Sequence, residues 1–341
     1  MKILYVLVSS TADYYYEQAL ISMMSLKHQM PNSIISLLTD RDTDNSLNKS
    51  RNLINEYISE KIVVDLDKAL SSMQKSRWLK TSMRELVKND FLYVDVDTVF
   101  AAPIDETLLT DDIMGVPDGN CPLNSHPMKW LIEDNLKKNL FEHSLKYHIN
   151  SGVLYFKDTP TAHSFAKIWH THWLESCKKG IFIDQPALHQ TIIDSGKVLH
   201  LLPNFMNAQF GRNINTLIKG VILHYYSSWT TNSSYIPAYK FLQKDWLRNF
   251  RQDPKSKVFT KDIFNPKEAF EPCSLILNSQ FNLFWHTRLT QHLMNLWISP
   301  DKADKRLFKL LEKIILKTSV LYYRLIIILH PFYKIFYKRF R

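Results

Sequence analysis

The chain has 341 residues, 45% of them hydrophobic and 13% aromatic, which is ample for a packed core and argues against disorder. Its three cysteines, Cys121, Cys177 and Cys273, form no CxxC pair, which argues against a zinc site or a disulfide framework and for a reducing compartment. The net charge of +10 is concentrated at one end: from Lys302 to Arg341 eleven Lys and Arg face two acids, and the rest is close to neutral, which weakens a nucleic-acid reading, since that would want a basic surface on the folded domain.

In chain order, Lys2 to Ser9 reads as a first strand, since the apolar run lacks a signal peptide's length and cleavage site. Tyr14 to Met30 reads as a helix closed by Pro31. Ser33 to Thr39 predicts a second strand, Leu47 to Ile58 a helix and Lys61 to Val64 a third strand. Ser76 to Val87 then predicts a helix leading into Asp90-Phe91-Leu92-Tyr93-Val94-Asp95-Val96-Asp97. Alternation of this kind predicts an α/β fold, with a mostly parallel sheet covered by helices on both faces. Ligands of such sheets bind at the carboxyl ends of the strands.

Asp95 and Asp97 lie at such an end. Strand alternation would put both carboxylates on one side and turn Val96 into the core. Two acids so placed repel unless a cation lies between them, and oxygen donors suit Mg²⁺ or Mn²⁺. The bland alternative is a strand that ends in a polar turn. No GxGxxG follows strand one, no GxxxxGK[ST] occurs, and only seven glycines are present. A dinucleotide-binding Rossmann protein and a P-loop NTPase are therefore disfavoured.

Residues 148–156 read as another strand, entered through Asn150-Ser151-Gly152. Pro160 to Cys177 predicts a helix. Asp184 and Pro186 fit the N-cap and first turn of another that runs through Ile193. Val198 to Leu202 and Gly220 to Tyr225 read as late strands, the second carrying His224. Gln252 to Cys273, polar and with three prolines, reads as a linker. These patterns predict an α/β domain over 1–250, a linker and irregular or helical segment over 251–300, and basic amphipathic helices over 301–341. The most apolar part of the tail, Ser319 to Leu329, is too short to span a bilayer. A basic, aromatic-rich amphipathic helix suits an anionic membrane surface, and it equally suits packing on the domain or a second subunit.

The ordered set Ser76-Arg77-Trp78-Leu79-Lys80, Asp95-Val96-Asp97, Asn150-Ser151-Gly152, Asp184-Gln185 and His224 resembles glycosyltransferase family 8, over roughly residues 1–230. These are retaining galactosyl- and glucosyltransferases with a GT-A fold, and they include lipopolysaccharide sugar transferases and glycogenin. The resemblance implies Mn²⁺ or Mg²⁺ as cofactor, held by Asp95, Asp97 and His224. It implies donor contacts from Val8, Ser9, Ser10, Thr11 and Asp13 to the nucleotide and from Arg77 and Lys80 to the diphosphate. Asn150 would hold a sugar hydroxyl, and Asp184 and Gln185 would lie beside the donor sugar as the catalytic pair. The family often has a lysine a few residues after the metal histidine; here none follows His224 before Lys240, so either Arg77 and Lys80 would carry that charge or the chain belongs to a neighbouring group of GT-A enzymes.

The expected activity is that of a hexosyltransferase acting from a UDP-sugar on a glycan or glycolipid hydroxyl, in cell-surface polysaccharide or lipopolysaccharide synthesis. The enzyme would be cytoplasmic and peripheral at the inner face of the cell membrane, with no nucleic-acid partner. Two other readings stand beside it. A sugar-nucleotide nucleotidyltransferase would want a Gly-rich basic loop after strand one, where Val8 to Asp13 has neither glycine nor a basic residue. A catalytically inactive, membrane-docked scaffold would bind neither UDP nor Mn²⁺.

Overall fold

The structure, a computed structural model, describes residues 1–47, 51–126, 128–210, 215–226, 239–270, 301–311, 313–314 and 317–318. It divides into two compact units, Met1–Ser279 and Gln280–Arg341.

The first unit is an α/β fold. It opens with β1 (Lys2–Leu7), α1 (Tyr15–Gln29), β2 (Ile34–Asp40), α2 (Arg41–Leu47), β3 (Glu60–Val64), α3 (Ser72–Leu86) and β4 (Phe91–Val94). It continues with β5 (Thr98–Phe100), β6 (Ile113–Pro117), α4 (Lys129–Asn139), β7 (Ile149–Phe156), α5 (Pro160–Lys178) and α6 (Gln185–Asp194). Next come β8 (Leu199–Leu201), α7 (Asn215–Lys219), β9 (Ile222–His224), α8 (Lys244–Gln252) and α9 (Lys257–Phe264). Seven strands form one sheet in the order β3-β2-β1-β4-β7-β6-β8. It is mostly parallel, as expected; β7 runs antiparallel to both its neighbours.

Both faces of the sheet are covered, which is why its strands are apolar on both sides. Ile3, Tyr5 and Leu7 of β1 enter one core layer with α1, α8 and α9. Leu4 and Val6 enter the other with α3, α5 and α6. β5 and β9 form a separate antiparallel pair in which Thr98 faces His224.

Three local expectations change. The helix expected from Ser76 starts at Ser72, because Ser71 and Gln74 form a reciprocal capping box one turn earlier. The helix expected over 47–58 is replaced by α2, which starts directly after β2, and by a 3₁₀ turn over Asn52–Glu56. The Asp40 carboxylate accepts from the Thr43 amide (3.2 Å) and starts α2 early. The described part of the segment read as a linker is folded. Phe259, Ile263 and Phe264 of α9 pack into the α1 layer, Phe264 stacks on His28 at 4.1 Å, and Asp262 is buried against Lys240 and Trp246.

In the second unit, residues 302–311 are helical. Leu307, Leu310 and Ile314 are exposed, and at i, i+3 and i+7 they share one face. Ser319 to Leu329, the most apolar part of the tail, lies outside the described residues. Among the described residues no helix is long and apolar enough to cross a membrane.

Candidate active site

Phe91 to Val94 form the buried strand β4, but Asp95-Val96-Asp97 is a turn between β4 and β5. The two carboxylates therefore converge through the turn and not by strand alternation, which corrects the geometric reason given above. The Thr98 hydroxyl donates to the Asp95 carbonyl (2.7 Å) and closes the turn. The Tyr225 amide donates to the Asp97 carbonyl (3.2 Å), continuing the β5–β9 ladder. That ladder brings His224 Nε2 to 3.3 Å from Asp97 Oδ1. One donor atom from each of Asp95, Asp97 and His224 lies within 4.8 Å of the others.

These residues fit a divalent cation. Two carboxylates and one imidazole are a donor set suited to Mn²⁺ or Mg²⁺ with positions left for phosphate oxygens. A glycine at position 152 makes the cradle possible. The Asp95 amide donates to the Gly152 carbonyl (2.8 Å). A Cβ on Gly152 would lie 2.5 Å from His224 Cε1 and 2.8 Å from Asp95 Oδ2.

Beside the acids runs a chain of alternating charges. Arg77 Nε lies 3.0 Å from Asp184 Oδ1, Lys80 Nζ 3.4 Å from Asp184 Oδ2, and Lys80 Nζ 3.0 Å from Asp95 Oδ1. Arg77 and Lys80 are one turn apart on α3, so both reach the same side. They do not form a solvated face: Lys80 is 1% exposed. Asp184 occupies the N-cap of α6 yet makes no side-chain capping bond; its carboxylate serves the cations. Burial pushes that carboxyl up, while Lys80 and then Arg77 pull it down, to a net value of about 2. The Tyr93 hydroxyl donates to Asp95 Oδ1. Burial, then the Asp95 charge, push the Tyr93 phenol up, so it stays a donor. Gln185, the first residue of α6, is half-buried and its Nε2 donates to the Ile149 carbonyl (3.4 Å).

Asn150 is 3% exposed, and its amide is saturated. Oδ1 accepts from the Gly152 amide (2.9 Å) and Asn207 Nδ2 (3.0 Å). Nδ2 donates to Asp118 Oδ1 (2.9 Å) and the Tyr226 hydroxyl (3.2 Å). An amide offers two donors and two lone pairs, so none is left for a sugar hydroxyl. Asn150 is part of the frame under the site.

In the β1–α1 loop, Val8 is half-buried, Ser9 buried and Ser10 exposed. The Asp13 carboxylate is engaged within the loop by the Ser9 hydroxyl (2.6 Å), the Ser10 amide (2.7 Å) and the Tyr15 amide (3.0 Å). It shapes the loop as an Asx turn does, and ligand contacts would come from the loop's backbone and serines. Arg251, from α8, donates to the Thr11 carbonyl (3.0 Å) and grips Glu17 (2.7 Å). Neither Arg251 nor Asn207, Asp118 and Tyr226 stood out in the sequence. They lie in no local motif, and a backbone conformation at positive φ (50°) at Tyr226 is not legible in a tyrosine codon position.

No family model matches the chain, and no curated protein matches its sequence. Among solved structures it is similar to mouse xyloside xylosyltransferase 1, at 12% identity and TM-score 0.45, over 70% of this chain and 100% of that one. It is similar to the galactosyltransferase LgtC solved with donor and acceptor sugar analogues, at 13% identity and TM-score 0.46, over 82% and 100%. It is also similar to the glycosyltransferase GlyE of Streptococcus pneumoniae TIGR4, at 15% identity and TM-score 0.44, over 80% and 64%.

Proposed function

We propose that this chain is a metal-dependent GT-A glycosyltransferase that moves a hexose from a UDP-sugar to a hydroxyl of a glycan or lipid-linked acceptor. The observation that carries this reading is the convergence of Asp95, Asp97 and His224 from two distant segments, next to the Arg77–Asp184–Lys80 array. A bound Mn²⁺ or Mg²⁺ would supply Lewis-acid neutralisation of a diphosphate leaving group.

The protein's own residues account for the rest. Arg77 and Lys80 supply positive charge where negative charge develops as UDP departs, in a partly water-excluded site where such charge acts strongly. Asp184 keeps both cations ordered. Glycosyl departure leaves an oxocarbenium-like sugar, and Gln185 would present its side-chain oxygen to that centre. Retention of configuration belongs to this proposal through the family resemblance.

Two tests follow. UDP should raise the melting temperature only when Mn²⁺ is present, and Asp97→Ala should remove that rise. Transfer should fall by more than the roughly 10- to 100-fold typical of losing a metal's outer partners. A cooperatively melting protein that shows no UDP or Mn²⁺ response would instead be a scaffold.

The basic tail is proposed to hold the enzyme at the inner, anionic face of the cell membrane. The exposed row Leu307, Leu310 and Ile314, flanked by Lys302, Lys305, Arg306 and Lys309, supports this. The full chain should float with anionic vesicles and not with neutral ones. Replacing those four basic residues by Glu should abolish flotation, at about 1 kcal/mol lost per removed charge. Unchanged flotation would sink the tail reading.

A further inference from the structure

The arrangement of amides beneath the site dictates which nitrogen of His224 faces the metal position. The backbone N–H of Gly152 can only donate, so the Asn150 atom 2.9 Å from it is the carbonyl oxygen Oδ1. That oxygen also faces Asn207 at 3.0 Å, so the Asn207 atom there is the donor Nδ2. Asn207 therefore turns its own oxygen, Oδ1, to His224 Nδ1 at 3.1 Å. An amide oxygen only accepts, so His224 carries its proton on Nδ1. Its Nε2 is left on the side of Asp97, 3.3 Å away, free to serve as the metal-facing nitrogen. Side-chain amide orientation and imidazole tautomer are ordinarily ambiguous; here one backbone N–H resolves both amides and the ring.

We propose that Asn207 is a positioning residue that sets the tautomer and ring plane of His224, and that Asn150 sets Asn207. This rests on the metal-site reading above. Asn207 is fully buried, so water does not replace it as acceptor. Tyr226 limits ring rotation from another side, with its ring centroid 4.4 Å from that of His224. A neutral histidine held by an outer acceptor binds metal through the other nitrogen with greater basicity.

The experiment is a Mn²⁺ titration of the full chain, read by calorimetry, with melting temperature of the metal-free protein as a second readout. Asn207→Leu removes the acceptor at similar volume and should weaken Mn²⁺ binding roughly 10- to 100-fold. Asn207→Asp keeps an acceptor for Nδ1–H but loses the donor to Asn150. It should melt at a lower temperature yet bind Mn²⁺ within about threefold of wild type, since a carboxylate serves the same outer role. If Asn207→Leu does not fold, Asn207→Ala carries the same comparison. Equal loss in the Asp and apolar variants, or loss in neither, overturns the proposal. Wild-type protein that binds no Mn²⁺ overturns the metal reading and this proposal together. Wild-type binding that is lost in Asp97→Ala but kept in Asn207→Leu overturns this proposal alone.

Discussion

Gly152→Ala is expected to abolish metal binding and transfer while leaving a folded protein. The added methyl would sit 2.5 Å from His224 Cε1 and 2.8 Å from both Asp95 Oδ2 and Asn150 Oδ1. Carbon contacts are comfortable at about 3.5–4.0 Å, so at least one of these groups must move. Each is tied to others: Asn150 by four hydrogen bonds, Asp95 by Lys80 and Tyr93, His224 by Asn207. The group that moves drags a metal donor or its support with it. A displacement of about 1 Å at a catalytic centre costs on the order of 100-fold, and the overpacking itself costs about 1–3 kcal/mol of stability. Gly115→Ala is the control. Its Cβ would crowd Ile149 and Leu154 side chains at 2.8 and 2.9 Å, so it should lower stability and leave Mn²⁺ affinity intact. If Gly152→Ala binds Mn²⁺ as wild type does, Asp95, Asp97 and His224 are not the ligand set.

The second large effect is expected at Asp184. Among the described residues, Asp184→Ala leaves buried Lys80 with only Asp95 as a counter-charge, besides the Tyr93 ring at 5.2 Å. Breaking a buried ion pair by removing one partner costs about 3–5 kcal/mol. Chemical denaturation at pH 7 should show a loss of this size, with transfer lost as well because Arg77 and Lys80 lose their shared anchor. The same carboxylate makes stability depend on pH. Its folded value, about 2, lies below the ordinary 3.8. The unfolded chain therefore takes up the proton first, and this contribution is complete above pH 3.8 and fades as the pH falls towards 2. At 1.36 kcal/mol per pKa unit the difference is on the order of 2 kcal/mol. Asp184→Asn should start from lower stability and lose correspondingly less between pH 4 and pH 2. Parallel curves for the two proteins would mean that Asp184 is not held ionised by Lys80 and Arg77.

Several elements of the fold were legible because their signals are local. The apolar runs at Lys2 to Leu7 and Phe91 to Val94 marked buried strands, and Pro31 marked the end of α1. The misplaced helix near residue 50 shows the limit. The apolar spacing of Leu53, Ile54 and Ile58 outweighed the cap at Asp40, whose role depends on the preceding strand ending exactly one residue before the helix starts. α9 was hidden for a similar reason: it is short, and nothing within it says that α1 is there to cover Ile263 and its aromatic neighbours.

The candidate site divides along the same line. The sequence by itself determined the chemistry: an Asp-x-Asp at a strand end, Arg and Lys one helical turn apart, a polar Asn-Ser-Gly corner and a late histidine. Periods of two and 3.6 residues are properties of neighbouring side chains, so a single segment carries them. Only the tertiary structure decided which of these groups meet. The β5–β9 pairing carries His224 to Asp97, α6 turns Asp184 away from its own cap towards α3, and Asn207, oriented by Asn150, reaches His224 directly. These contacts depend on strand register and helix packing between residues far apart in the chain, and each is stabilised by partners that the segment itself does not contain.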